Sequence, residues 1–197
     1  MQKWNRFQYL PVRPLGKDGR MVTGSSEHIR LSRTAAAEGM VLLKNEHQLL
    51  PLQKGSRVAL FGKASADYVK GGGGSGDVTV AYVRNLCDGM EEKENEGKLS
   101  VFAPLNEFYR ENVAQQHKAG KNPGYTTEPE VPAELLKQAA REYDTAIISI
   151  CRFSAEGWDR KGEPDDGDFY LSREEQRMVA DVTAAFRKVV VVLNVGG

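Results

Sequence analysis

DTAIISIC, residues 144–151, runs directly into RFSAEGWDR, residues 152–160, and this stretch decides the fold. The first eight residues are a short apolar run rich in branched side chains, the pattern of a strand buried on both faces. The residues after it are small, polar and glycine-containing, so the chain leaves the strand as a loop. In open α/β sheets, ligands collect in the crevice beyond the carboxyl ends of the strands. A carboxylate there, Glu156, is better placed for chemistry than one on a solvated helix face.

Two further runs match the first. RVALFG (57–62) reads as a core strand whose closing glycine lets the chain turn sharply, and VVVVLN (189–194) reads as a fully buried strand. Helical signals lie between them. Ser25 or Ser26 caps a helix that runs through AAAEGMVLL (35–43), with its second half apolar nearly all round and so expected to be buried on more than one side. Residues 105–118 have helical spacing, and Pro132 suits the first turn of a helix reaching about Glu142. Ser172 and Glu175 form a capping box for a helix to Arg187. Residues 78–90 also admit a helix, EEKENEG (91–97) reads as a charged turn, and KNPGYTTEPEV (121–131) as a surface connection.

Helices alternating with short apolar strands predict an α/β fold: a mainly parallel sheet sandwiched between helices, a flavodoxin-like three-layer α/β/α arrangement. It is expected to be incomplete at the C-terminal end, because the chain stops at Gly196 and Gly197, directly after a strand that would normally lead into a covering helix. Residues 1–24 read as an extended arm whose Trp4, Phe7 and Tyr9 need a surface to cover them. Residues 25–197 form the α/β domain. There is no internal repeat.

Across 197 residues, 27 basic side chains balance 27 acidic ones, and 40% of residues are hydrophobic. This composition excludes fibrous, disordered and membrane-embedded classes. It gives no field for a nucleic acid or an anionic membrane, so a neutral or sugar-like ligand fits best. Cys87 and Cys151 suggest neither a disulfide framework nor a metal site. No apolar segment serves as a signal sequence, and a cytoplasmic location is the expectation.

Glu156 is flanked by Ala155 and Gly157, which leave little bulk around it, and Trp158 offers an apolar ring nearby. A glycosidase general acid needs a carboxyl group kept protonated by partial desolvation, and an aromatic face stacks on a sugar. The plainer alternative pairs Glu156 with Arg152 or Arg160 and makes it a loop-ordering residue. Asp159 and Arg160 read as loop support, since a guanidinium holds a loop through carboxylate and carbonyl contacts. The acidic tract Glu163, Asp165, Asp166 and Asp168 lacks an EF-hand ligand pattern, and His28, His47 and His117 make no metal pair, so no metal or other cofactor is expected. KGGGGSGD (70–77) lacks the lysine of a phosphate-binding loop. Glycines there permit close backbone approach to a neutral ligand or another domain, with Gly74 and Gly76 supporting the Ser75 hydroxyl between them.

Four separated pieces, AAAEGMVLLKNEHQLLPL (35–52), RVALFGKAS (57–65), KGGGGSGDV (70–78) and RFSAEGWDRKGEPDDGDFYLSREEQ (152–176), together resemble the α/β-sandwich domain of family 3 glycoside hydrolases of the β-glucosidase type. The resemblance implies a retaining hydrolase acting on a β-glucoside or related oligosaccharide. In that family the sandwich domain contributes the acid/base glutamate in a loop of the form GEGxDR, and a TIM-like barrel carries the nucleophilic aspartate. Glu156 then corresponds to the acid/base, with Ala155 where a glycine is common. Ser75 corresponds to a residue that reaches the sugar, and Trp158 is expected to contact it. No stretch resembles the barrel. Motif order is similar to permuted members in which the sandwich comes first, so a barrel later in the same polypeptide is the expected partner, and this chain alone is expected to be inactive. Two other functions fit the residues: a non-catalytic carbohydrate-binding or interdomain scaffold, and a flavodoxin-like nucleotide-binding module built on the glycine-rich loop.

Overall fold

A computed structural model of the chain describes residues 18, 24–69, 80, 82–122, 124–154 and 160–195. They fall into two units, Met1–Gln48 and Leu49–Gly197. In the first unit, α1 spans Ser26–Glu38, with the Ser25 hydroxyl accepting the His28 N–H at 3.3 Å. This helix stops five residues short of Leu43, where the sequence pattern would have taken it. Gly39 caps it, donating to the Ala35 carbonyl, and none of the residues in α1 is buried.

Among the described residues, the second unit holds four parallel strands and four α-helices. In chain order they are β1 (Ser56–Phe61), α2 (Leu86–Asn95), β2 (Leu99–Val101), α3 (Ala103–Lys118), α4 (Ala133–Glu142), β3 (Thr145–Arg152), α5 (Arg173–Ala185) and β4 (Lys188–Val195). The strands lie in the order β2-β1-β3-β4. Residue alternation sends the two faces of the central strands into different cores. Ala59, Phe61, Ala146 and Ile148 pack with Leu105 and Tyr109 of α3, Ala139 of α4, and Met178 and Val182 of α5. Val58, Leu60 and Ile147 pack on the opposite face with Cys87 of α2 and Val101. Helices therefore cover both faces, as the continuous apolar runs demand. Both cysteines are buried free thiols.

Two sequence expectations change, and one strand goes unmarked by the sequence. The short strand β2 has no apolar run of its own to announce it. EEKEN is the second half of α2 rather than a turn, because its charges find partners: the Glu91 carboxylate accepts from Asn106 and Arg110, and Glu94 accepts the Val101 N–H at 2.9 Å. β4 is not fully buried. It pairs with β3 along its whole length, but among the described residues no strand lies on its other side, and Val191 and Leu193 remain 52% and 50% exposed.

The register leaves an overhang at the carboxyl ends. Phe61, the last residue of β1, sits opposite Ile148, and β3 continues for four more residues. Gly62 passes close against that overhang: it has φ +93°, and a Cβ built on it would lie 2.3 Å from the Ser149 carbonyl oxygen. Only glycine meets both conditions. The next residues turn through a short 3-10 segment, Lys63–Ser65, in which all three side chains are buried.

A polar cluster holds that turn. Glu128, on the 121–131 connection, accepts the Lys63 N–H at 2.7 Å. The Lys63 ammonium donates to the Thr126 hydroxyl at 3.1 Å, and that hydroxyl donates to Asp67 at 2.6 Å. His117 of α3 lies 3.3 Å from the other Asp67 oxygen. Burial lifts the Glu128 carboxyl to about 7, against the Lys63 N–H and the Tyr109 hydroxyl, which favour its charged form. Burial likewise lowers the Lys63 ammonium, opposed by Asp67. The connection is thereby fastened to the exit of β1 by groups that would be costly to bury singly.

Two measurements follow. Gly62→Ala is expected to cost about 3 kcal/mol or more in urea unfolding, because overpacking adds to backbone strain. Gly55→Ala, at φ +84° with nothing within 4 Å of its Cβ, should cost only about 1–2 kcal/mol. Equal losses would remove the role given to the Ser149 approach. The raised Glu128 carboxyl binds its proton more tightly folded than unfolded. Its contribution is therefore complete below about pH 4.5 and is lost as pH rises to about 7, by on the order of 3 kcal/mol. Unfolding at pH 5 and pH 7.5 should show this decline in the wild type and a smaller one in Glu128→Gln.

Candidate functional site

The chain moves from β1 outward to β2, then crosses back to place β3 on the other side of β1. The loops leaving β1 and β3 therefore part in opposite directions, and the gap between them is the switch point where doubly wound sheets bind ligands. Residues 62–85 follow β1 and include the glycine-rich run. Residues 153–172 follow β3 and include Glu156. The strand order thus sets the exits of β1 and β3, at Gly62 and Phe153, on either side of that gap.

Both segments are closed at their bases. On the β1 side, the Tyr68 N–H donates to the Asn85 side chain at 3.0 Å, joining the residues that bracket the glycine-rich run. The Tyr68 hydroxyl pairs with Ser149 of β3 at 3.0 Å, and burial pushes that phenol above its usual range. On the β3 side, Arg152 donates to both oxygens of Glu175, at 2.9 and 2.6 Å, forming a fork with side-chain exposures of 10% and 6%. It also donates to the carbonyls of Cys151, Asp168 and Tyr170, at 2.9, 2.6 and 3.4 Å. A guanidinium has five N–H donors, and here all five are used. Glu175 in turn accepts the Ser172 N–H, completing the capping box that starts α5.

Arg160 donates to the Asp168 carboxylate at 3.0 Å, and the same carboxylate accepts the Lys161 N–H at 2.6 Å. The Phe153 ring packs edge-on against Tyr125 at 5.9 Å and fills the space a Cβ on Gly124 would need. Phe169 and Tyr170, a T-shaped pair at 5.1 Å, are exposed on the return limb of the loop.

Of the candidate residues named from sequence, Arg160 lies among those described. Glu156, Trp158, Asp159, Ser75, Gly74 and Gly76 lie outside them. Asp165 is engaged by Arg173 and Gln176, and Asp168 by Arg160 and Lys161. Among the described residues, no group of three or more His, Cys, Asp or Glu side chains is placed to hold a metal ion. None of the helices there is long and apolar enough to cross a membrane. Sequence reasoning missed the double duty of Glu175. Its capping-box spacing was legible, but nothing local linked it to an arginine twenty-three residues earlier.

Comparison with known proteins gives this arrangement a family. The chain is 49% identical to β-glucosidase A of Butyrivibrio fibrisolvens across all of its length and 26% of that protein's. It is 35% identical to a β-glucosidase of Ruminococcus albus, over 87% of this chain and 18% of the relative. Among solved structures, β-glucosidase 3B of Thermotoga neapolitana, determined with glucose bound, superposes with a TM-score of 0.74 at 32% identity over 89% of this chain and 25% of the other. A β-glucosidase of Paenibacillus barengoltzii gives 0.75 at 33%, covering 84% and 18%. The chain thus spans about a quarter or less of these relatives. Residues 40–197 match the glycosyl hydrolase family 3 C-terminal domain, and the chain belongs to that family.

Proposed function

We propose that this chain is the acid/base half of a retaining β-glucosidase. Glu156 protonates the departing glycosidic oxygen and then deprotonates the water that releases the sugar. Ser75 and Trp158 contact the sugar from the two loops of the crevice, while Gly74, Gly76, Asp159 and Arg160 hold those loops in place. The nucleophilic aspartate comes from a barrel domain of the same polypeptide, and residues 1–24 form an arm outside the sandwich. In retaining enzymes the two carboxyl groups stand about 5 Å apart, a spacing that two domains reach only when docked. The substrate class is a terminal β-glucoside, and the setting is the cytoplasm, where the buried thiols of Cys87 and Cys151 stay reduced.

One observation carries this reading. Arg152, one of the two arginines four residues from Glu156 in sequence, spends all five donors on Glu175 and three carbonyls. Arg160 is paired with Asp168. The base of the loop is thus ordered by Arg152, Glu175 and Asp168, which supports reading Glu156 as a carboxyl kept for a ligand.

In the complete polypeptide, Glu156→Ala should slow hydrolysis of alkyl β-glucosides by roughly 100-fold or more, the order general acid catalysis supplies. Dinitrophenyl β-glucoside should suffer far less in its first step, and azide should restore turnover as a glycosyl azide product. Full activity of the variant on alkyl glucosides would instead favour a scaffold role. The 197-residue chain alone should release no nitrophenol from an aryl β-glucoside. A nucleotide raising its melting temperature where glucose does not would favour the binding-module reading, since a ligand of the folded state stabilises it.

A further inference from the structure

The hydrogen bonds around the β3 exit form one connected knot, and its geometry concerns the ends of a single short stretch. Residues 155–159, which include Glu156, leave from Arg152–Ser154 on one side and enter Arg160–Lys161 on the other. Both sides attach to the same residue. The Arg152 Nε donates to the Asp168 carbonyl at 2.6 Å, while Arg160 and the Lys161 N–H share the Asp168 carboxylate at 3.0 and 2.6 Å. Asp168 thus fixes where the stretch begins relative to where it ends. Arg152 then ties Asp168 to the sheet and, through the Glu175 fork, to the first turn of α5.

We propose that Arg152 and Asp168 are positioning residues for the reaction, setting the approach of the Glu156 carboxyl by holding both ends of its stretch without touching substrate. This rests on Glu156 being the acid/base. A nearly buried ion pair is by itself weak evidence of stabilisation, because desolvation offsets the attraction. The Arg152 fork differs from a stabilising core pair in where its remaining donors go. Two of them reach carbonyls on the return limb of the loop, Asp168 and Tyr170, and so constrain loop geometry rather than packing. A planar fork can satisfy Glu175 and these carbonyls together. A lysine at this position, with a single ammonium on a flexible stem, cannot.

The test uses Arg152→Lys and Glu175→Gln. The second keeps a side-chain oxygen for the Ser172 N–H, so α5 stays capped while half of the fork is lost. Both are made in the complete polypeptide for kinetics. They are also made in the 197-residue chain carrying Trp4→Phe, where Trp158 becomes the sole tryptophan and reports the mobility of the stretch. The expected result is lower Trp158 fluorescence anisotropy together with a loss in kcat on alkyl β-glucosides of roughly 10- to 100-fold. KM should change little, and the loss should be smaller with dinitrophenyl β-glucoside. Unchanged Trp158 anisotropy, with Glu156→Ala still sensitive to the leaving group, overturns the positioning role and leaves the acid/base reading intact. So does an equal loss on all leaving groups that tracks the folded fraction. Lowered anisotropy with no leaving-group sensitivity in any variant, Glu156→Ala included, overturns the acid/base reading and the catalytic consequence with it, leaving only an anchor for the loop.

Discussion

The close parallel approach of β1 and β3 is the constraint on which the rest of the second unit depends. Phe61 and Ile148 face each other in register, and one residue later the Gly62 backbone comes so near Ser149 that no side chain fits between them. That contact forces the chain leaving β1 across the overhanging end of β3. It fixes which residues turn inward, Lys63, Ala64 and Ser65, and it sets where the glycine-rich segment starts. The two helix layers follow from the same pair of strands, because their alternating residues supply both cores.

The two loop bases are held by different physical means. At the β1 exit a cluster of polar groups, all buried except the half-buried His117, is shared among three segments: Lys63 and Asp67 on the turn, Thr126 and Glu128 on the connection, and Tyr109 and His117 on α3. Its carboxyl is held near neutrality by burial, so the cluster's cohesion depends on protons. At the β3 exit a permanently charged guanidinium is matched by a carboxylate and three carbonyls. That knot is held by a planar fork whose donors are shared between one side chain and the backbone.

Such an arrangement suits a domain that supplies part of a shared site. The chain spans about a quarter or less of the β-glucosidases it resembles, and its strand order sets the exits of β1 and β3 on either side of one switch point. A carboxyl contributed across a domain boundary has to be held within about half an ångström of its working position by its own domain. Forks and closed loop bases do this better than a few exposed contacts.

The sequence by itself determined the strand and helix assignments of β1, β3, α3, α4 and α5, the parallel class, the capping box at Ser172 and Glu175, and the family, because each is written in residues near one another. Apolar runs, helical spacing and motif strings are local signals. It overextended α1 past Gly39 and left β2 unmarked. It read the second half of α2 as a turn, since partners such as Asn106, Arg110 and Val101 cannot be seen from Glu91 and Glu94 alone. Only the tertiary structure decided that, among the described residues, β4 has no strand on its outer side, that Glu128 is buried against Lys63, and that Arg152 forks onto Glu175. These depend on strand order and on contacts between residues 23 to 65 positions apart. Periodicity along a chain shows which face a side chain prefers, but not which distant group will meet it there.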